Sequence, residues 1–372
     1  MTRRSKVVTG IVAVLALTVG ALALVLSHNT PCGVAPAVPT GMPTMKAAVY
    51  RCYGPTDVLK VEAITKPIPA ADRVLIKVYA ASVNPLDWHY LRGSPYIMRA
   101  MIGIGVPDDI RLGVDFSGTV EAVGAGVTRF KSGDEVFGGA DGSFAEYLTA
   151  RAAGSIALKP SNMSFEQAAA VPIAAVTALQ ALRDHGHLQR GSQVLINGAS
   201  GGVGSFAVQI AKVLGAEVTG VSSGSTQAMV RSLGADQVID YTREDFTQGS
   251  QRYDLVLDLV GNRDLLDIRR VLKPHAIYIG LGGGGPNEGG LIGPLKSAIK
   301  ESLLSPFVSQ KFMFFTADLN ANDLSILHDL MQAGRVKPVI DKRYPLNETA
   351  AAIRYLEAGH AHGKVVIDVL PQ

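Results

Sequence analysis

The stretch that most constrains this chain is Gln193-Val194-Leu195-Ile196-Asn197-Gly198-Ala199-Ser200-Gly201-Gly202-Val203-Gly204. A short apolar, β-favouring run precedes Gly198. Apolar residues then recur at helical spacing through Val203, Ala207, Ile210, Ala211 and Leu214. The pattern predicts a buried strand, a glycine turn and a helix. In G-x-x-G-x-x-G spacing each glycine has its own task. Gly198 makes the tight turn, Gly201 lets an anion approach the backbone, and Gly204 lets the helix pack on the strand. Free N–H groups and the positive end of the helix dipole then face a diphosphate. Gly198, Ser200, Gly201, Gly202, Val203 and Gly204 are the candidate cofactor-binding residues of this turn.

The same alternation continues downstream. Ala216 to Val221 reads as a second strand, Gln227 to Leu233 as a helix, and Gly234 to Asp240 as a third strand. Tyr253 to Asp258 and Ile277 to Gly280 follow, separated by a helix over Asp264 to Leu272. Strands alternating with helices imply right-handed βαβ units and a parallel sheet. The fold class is therefore α/β, with a doubly wound Rossmann dinucleotide-binding domain.

Upstream the pattern changes. Lys46 to Tyr50, Val74 to Val78, Gly113 to Gly124 and Gly133 to Gly138 are short alternating strands between glycine turns, predicting a β-rich, partly barrel-like module. At 372 residues the chain has room for both domains. Three of its 35 basic residues, Arg3, Arg4 and Lys6, lie ahead of Met45 with no acidic partner, leaving 32 against 32 acidic residues. No clustered basic face is expected, which argues against nucleic-acid binding.

Val7 to Leu26 is a run of twenty uncharged, mostly apolar residues, long enough at about 1.5 Å per residue to cross a hydrocarbon core of about 30 Å. The expectation is a single-pass N-terminal membrane anchor over residues 1–27. A cleaved signal peptide is one alternative; the other is a misassigned start ahead of a cytoplasmic chain beginning at Met45. Residues 28–44, with Pro31, Pro36, Pro39 and Pro43, read as a semi-extended linker, so folded structure is expected from Met45. Cys32 and Cys52 are the only cysteines, and two isolated thiols suggest neither a disulfide framework nor a Cys-rich metal site.

Ala81-Ser82-Val83-Asn84-Pro85-Leu86-Asp87-Trp88, the Gly113 to Gly138 segment, Asn197 to Gly204 and the closing His360 to Ile367 occur in order. Together they resemble the medium-chain dehydrogenase/reductase superfamily, and most of all its zinc-free quinone oxidoreductase branch, the zeta-crystallin-like reductases. The resemblance runs from Met45 to Leu370. It implies a GroES-like catalytic domain over residues 45–165, the Rossmann NADP-binding domain over 166–305, and a return to the catalytic domain over 306–372. It also implies hydride transfer from NADPH to a quinone or an α,β-unsaturated carbonyl.

Zinc-dependent proteins of similar fold use cysteine ligands, and no cysteine follows Cys52, so an enzyme without zinc is expected. By resemblance to the family's Asn-Pro-x-Asp pattern, Asn84 is the candidate polar contact near the nicotinamide ribose and substrate. The plainer reading is a turn, with Asp87 capping the next helix. Tyr90 and Tyr96 are candidate proton donors to a developing enolate or quinol oxygen.

At the end of the second strand the chain reads Val221-Ser222-Ser223-Gly224-Ser225-Thr226, with no carboxylate to repel a 2′-phosphate and several hydroxyls to bind one. NADP(H) is expected over NAD(H), although the Lys or Arg that similar reductases place here is missing; Arg243 is a substitute. Ser222, Ser223, Tyr241, Val260 and Gly280, at strand ends, and Thr177 and Lys364, which are family-like, complete the candidate cofactor site.

Gly282 to Gly290 reads as a glycine-dense loop. With Leu291 to Val308 and Phe312, Phe314 and Phe315 it forms an apolar region that would serve as a substrate wall, a membrane contact, a homodimer interface or core. Two other readings of function stay open: an NAD(P)-dependent alcohol dehydrogenase, and a non-catalytic NADPH-binding redox sensor.

Overall fold

The computed structural model describes residues 17–282, 285, 290–293 and 295–371. Fifteen strands are described: β1 (Thr44–Val49), β2 (Lys60–Thr65), β3 (Arg73–Val83), β4 (Asp115–Val123), β5 (Glu135–Gly139), β6 (Tyr147–Arg151), β7 (Ile156–Leu158), β8 (Gln193–Asn197), β9 (Glu217–Ser222), β10 (Gln237–Asp240), β11 (Tyr253–Asp258), β12 (Leu272–Gly280), β13 (Lys311–Met313), β14 (Ile340–Pro345) and β15 (Lys364–Asp368).

β8 to β13 form one sheet in the order β10-β9-β8-β11-β12-β13, every neighbouring pair parallel. Helices cover both faces, so central strands such as β8 and β11 are nearly continuous runs of buried residues. The chain winds outward from β8 through β9 to β10, then returns to the other side of β8 as β11. That reversal opens a crevice beyond the carboxyl ends of β8 and β11, the usual ligand position in such sheets.

The other large sheet runs β14-β15-β3-β4-β5-β7, with β6 also paired to β3 and a separate β1–β2 ribbon alongside. It is a strongly paired β-module without a closed barrel. β15 comes from the far end of the chain and lies antiparallel to β3, pairing Val365 with Val83 and Val366 with Ser82. This register sets Lys364 beside Asn84, 280 residues apart in the chain.

The leader departs from expectation. Residues 17–27 are helical over about 16 Å, and among the described residues no helix is long and apolar enough to cross a membrane. The single-pass anchor and membrane localisation are therefore corrected; residues 7–16 of the apolar run lie outside the described ones. The physical reason lies downstream: Leu26 is buried, and the Arg99 guanidinium donates to the carbonyls of Leu26 and His28, both at 3.0 Å. The end of the segment is thus packed on the catalytic module. Ordered structure also begins well before Met45, with Thr30 donating its N–H to the Gly105 carbonyl at 3.0 Å. Cys32 and Cys52 are joined as a disulfide, which counting cysteines did not suggest.

Candidate active site

Gly198 and Gly204 take the turn and packing positions that the spacing predicts. Gly198 has φ +87, where an L side chain is strained, and its backbone abuts Val260 at the end of β11. A Cβ on Gly204 would meet the Gly198 carbonyl oxygen at 2.1 Å, so helix and strand touch backbone to backbone there. A Cβ on Gly201 would meet nothing nearer than 3.4 Å, and the space before it is open. The helix Gly202–Val213 starts at this opening, and its first N–H groups have no intrahelical acceptor. An open, glycine-lined helix start at a sheet's reversal point fits the diphosphate of a dinucleotide.

Beneath the turn, Asp258 holds the neighbouring loop. Its Oδ1 accepts from the N–H groups of Val260 and Gly261 and from Asn197 Nδ2, at 2.8 to 3.0 Å, and its Oδ2 accepts from the Tyr278 hydroxyl at 3.0 Å. Glu301 sits nearby, 2% exposed, its Oε2 without a hydrogen-bond partner among the described residues. Burial, and then the Asp258 charge, raise its carboxyl to about 7.

At the second-strand end, Ser223 Oγ lies 3.0 Å from Ser225 Oγ and 3.2 Å from Thr226 Oγ1, forming a small hydroxyl cluster. Ser222 is buried, and Tyr241, half-exposed, donates its N–H to the Ser222 carbonyl. Although β9 carries no carboxylate at its end, the fold brings one from β10. Asp240 pairs with Ser222 in the ladder and lies behind Gly224. It is engaged by Thr242, whose hydroxyl and N–H donate to it and hold its pKa down, with Arg243 3.7 Å away.

Across from the turn lies a buried polar cluster. Asn84 Nδ2 donates to Asp115 Oδ2 at 3.0 Å and to the Ser82 carbonyl at 3.3 Å, while Asn84 Oδ1 accepts from Lys364 Nζ at 2.5 Å. Asp115 also takes the Ser82 hydroxyl, the Ile173 N–H at 3.0 Å, and Lys364 at 3.4 Å. Asp87 accepts the Asn84 N–H at 2.7 Å, the capping role expected of it. Burial lifts its carboxyl to about 8, the Asn84 N–H pulling the other way. Burial lowers the Lys364 ammonium and the Asp115 charge opposes that. The Asn84 side chain is thus occupied by internal partners. The member nearest the turn is Lys364, whose Cδ would lie 3.2 Å from a Cβ on Gly202.

The remaining candidates are dispersed. Thr177 donates its hydroxyl to the Ile173 carbonyl in its own helix. Tyr90 packs half-buried on the catalytic core, where burial raises its phenol. Tyr96 sits on the loop joining the two modules, its N–H bonded to the Gly290 carbonyl at 3.0 Å. Gly280 ends β12 against Glu301 and Tyr278. Ser200 and Val203 lie in and just beyond the turn. Of the apolar region, Phe312 is core, Phe307 is 85% exposed and Phe315 stacks near His185; residues 283–284 and 286–289 lie outside the described ones.

Sequence reasoning missed Asp115, Asp258 and Glu301 as site-shaping groups. The available signal was a charged residue at an inward-facing strand position, as in Val114-Asp115-Phe116.

A GroES-like module joined to a doubly wound nucleotide-binding sheet is the architecture of medium-chain dehydrogenases and reductases. Residues 70–161 match a family model described as an alcohol dehydrogenase GroES-like domain, and residues 233–367 match one described as a zinc-binding dehydrogenase. The chain is 37% identical over 342 residues to a 2-methylene-furan-3-one reductase of Solanum lycopersicum, covering 88% of this chain and 80% of that one. It is 36% identical to a chloroplastic NADPH-dependent alkenal/one oxidoreductase of Arabidopsis thaliana, at the same coverage. A solved quinone oxidoreductase from Coxiella burnetii superposes with a TM-score of 0.77 at 31% identity, covering 88% of this chain and all of that one. The chain belongs to the medium-chain dehydrogenase/reductase superfamily, in its quinone oxidoreductase branch. It is an NAD(P)H-dependent oxidoreductase. Among the described residues no group of three or more His, Cys, Asp or Glu is placed to hold a metal ion.

Proposed function

We propose that this protein transfers a hydride from NADPH to a quinone or an α,β-unsaturated carbonyl, and does so without zinc. The observation that carries the reading is the turn itself: Gly201 is open while Gly198 and Gly204 are closed off, the shape needed to seat a diphosphate on backbone amides. When bound there, the dihydronicotinamide supplies the hydride.

The chain's own residues do the rest. The turn and helix start neutralise the diphosphate. The Ser223 and Ser225 hydroxyls, with Arg243 near Asp240, receive the 2′-phosphate. Lys364, anchored by Asn84 and Asp115, packs against Gly202 and fixes the catalytic module relative to the turn. Its role is positioning, holding the acceptor side against the cofactor side. Quinones and enones are already electrophilic, so orientation rather than Lewis-acid activation is the main demand.

The test is steady-state kinetics of the full chain with NADPH and NADH against a quinone and enone panel. The expected result is turnover with kcat/KM at least about tenfold higher for NADPH, the worth of roughly one charge-assisted contact. Equal or better use of NADH would overturn the cofactor assignment. Tight NADPH binding with no turnover on any acceptor would assign a sensor instead.

A further inference from the structure

The largest side chain fully buried among the described residues is a charged one, Arg99, at 1% exposure. Its guanidinium lies between the rings of Tyr53 and Tyr96, 4.4 and 4.7 Å from their centroids, and donates to four carbonyls, those of Leu26, His28, Arg92 and Gly93. Two of the four belong to the leader. A desolvated guanidinium demands such partners, so the leader is bound tightly at this point. The Cys32–Cys52 disulfide pins the same segment a few residues on.

The leader is pinned beside the loop that spans the two modules. The helix Pro85–Arg92 starts at Asn84, in the polar cluster next to the glycine turn, and ends at Gly93. The loop after it donates from Tyr96 and Ile97 to the carbonyls of Gly290 and Leu291, which belong to the nucleotide-binding module. That module's chain leaves the sheet at Gly280 and packs Gly282 on Val260, above the turn. Tyr96 and Leu291 therefore bridge the two modules that face each other across the cofactor cleft. Between them and the helix of residues 17–27 lies an open groove of about 660 Å³, walled by Leu17, Ala21, Leu24, Ser27, Tyr96 and Leu291. It is of ligand-pocket size and almost wholly apolar. The Ser27 hydroxyl is engaged elsewhere, donating to the Leu24 carbonyl.

We propose that this groove binds the apolar tail of the electron acceptor, an alkyl- or isoprenoid-substituted quinone or a long-chain enone. The leader helix then forms one wall of the acceptor site, fixed by Arg99 and the disulfide. The inference rests on the acceptor class proposed above and adds a specificity element to it. It also gives Leu17 and Leu24, 74% and 75% exposed, an apolar partner.

The test compares 2-decyl-1,4-benzoquinone with 2-methyl-1,4-benzoquinone on the full chain, wild type and Ala21→Trp, which fills the groove from its exposed helix wall. The wild type is expected to show the lower KM for the decyl compound. Ala21→Trp raises that KM about tenfold, the change expected when roughly two methylenes lose burial, and leaves the methyl compound within about twofold on the same scale. Leu24→Glu, a surface substitution that does not alter the helix, repeats the selective pattern. An equal effect on both quinones, or none on the decyl one, overturns the groove assignment. Should the wild type turn over neither quinone nor any enone, calorimetric binding of the two compounds decides. Decyl binding abolished by Ala21→Trp supports the groove while the acceptor reading falls, and binding indifferent to the substitution overturns the groove.

Discussion

Gly201→Ala separates a ligand site from a structural turn. The residue sits at φ −79 and ψ −177, ordinary extended backbone, and its new methyl would meet only the Gly198 carbonyl oxygen at 3.4 Å. Folding stability should therefore stay within about 0.5 kcal/mol of wild type. The methyl does, however, occupy the approach to the free N–H groups of the helix start. Displacing a diphosphate from one such charge-assisted hydrogen bond costs about 2 kcal/mol, or roughly a 30-fold weaker Kd for NADPH. Gly204→Ala is the contrast. Its methyl falls 2.1 Å from the Gly198 oxygen and 2.8 Å from the Ala199 Cα, backbone atoms that cannot swing away. About 1–3 kcal/mol of stability should be lost before any ligand is added. Chemical denaturation gives the stabilities and calorimetry the Kd. If Gly201→Ala binds NADPH within threefold of wild type, or is destabilised as much as Gly204→Ala, the division of labour in the turn is wrong.

Lys364→Met strands Asp115 in the buried cluster and should lower stability by about 3 kcal/mol, with part recovered in the Asp115→Asn/Lys364→Met double variant; urea titrations of the three proteins check this, and no recovery would argue against the pair. Glu301 carries a folded pKa raised from 4.5 to about 7, so the folded form binds the extra proton. Its contribution is intact below about pH 4.5 and is lost as pH rises through 7, up to about 3 kcal/mol in all. Glu301→Gln should flatten that slope, and wild-type and variant curves that run parallel from pH 5 to 8.5 would refute it. The Cys32→Ser/Cys52→Ser pair opens a 20-residue closure worth about 3 kcal/mol to the docked leader. Hydrogen exchange at residues 26–30 should accelerate, and unchanged protection would show that Arg99 alone holds the segment.

Much of the nucleotide-binding module could be read from the chain because its signals are local. Strand, turn and helix follow one another within Gln193 to Leu214, and each glycine's task is set by neighbours a few residues away. What could not be read depends on contacts between distant residues. Hydropathy counted Val7 to Leu26 as a span, and nothing local shows that Leu26 is buried or that Arg99, far along the chain, takes the carbonyls of Leu26 and His28. The Cys32–Cys52 pairing has no local sign either. Asn84 and Lys364 were singled out separately, by resemblance; that they share one buried network with Asp115 follows from β15 lying against β3. Asp240 illustrates the same limit: the end of β9 is free of carboxylates in sequence, yet the parallel ladder sets β10's aspartate beside it.

The most direct measurement follows NADPH oxidation by the full chain with a benzoquinone acceptor in the presence of a metal chelator, wild type beside Gly201→Ala. A dinucleotide seated on the turn and reacting without a metal predicts chelator-resistant turnover, with kcat/KM for NADPH reduced roughly 30-fold in the variant. Turnover abolished by the chelator, or a variant indistinguishable from wild type, would contradict it.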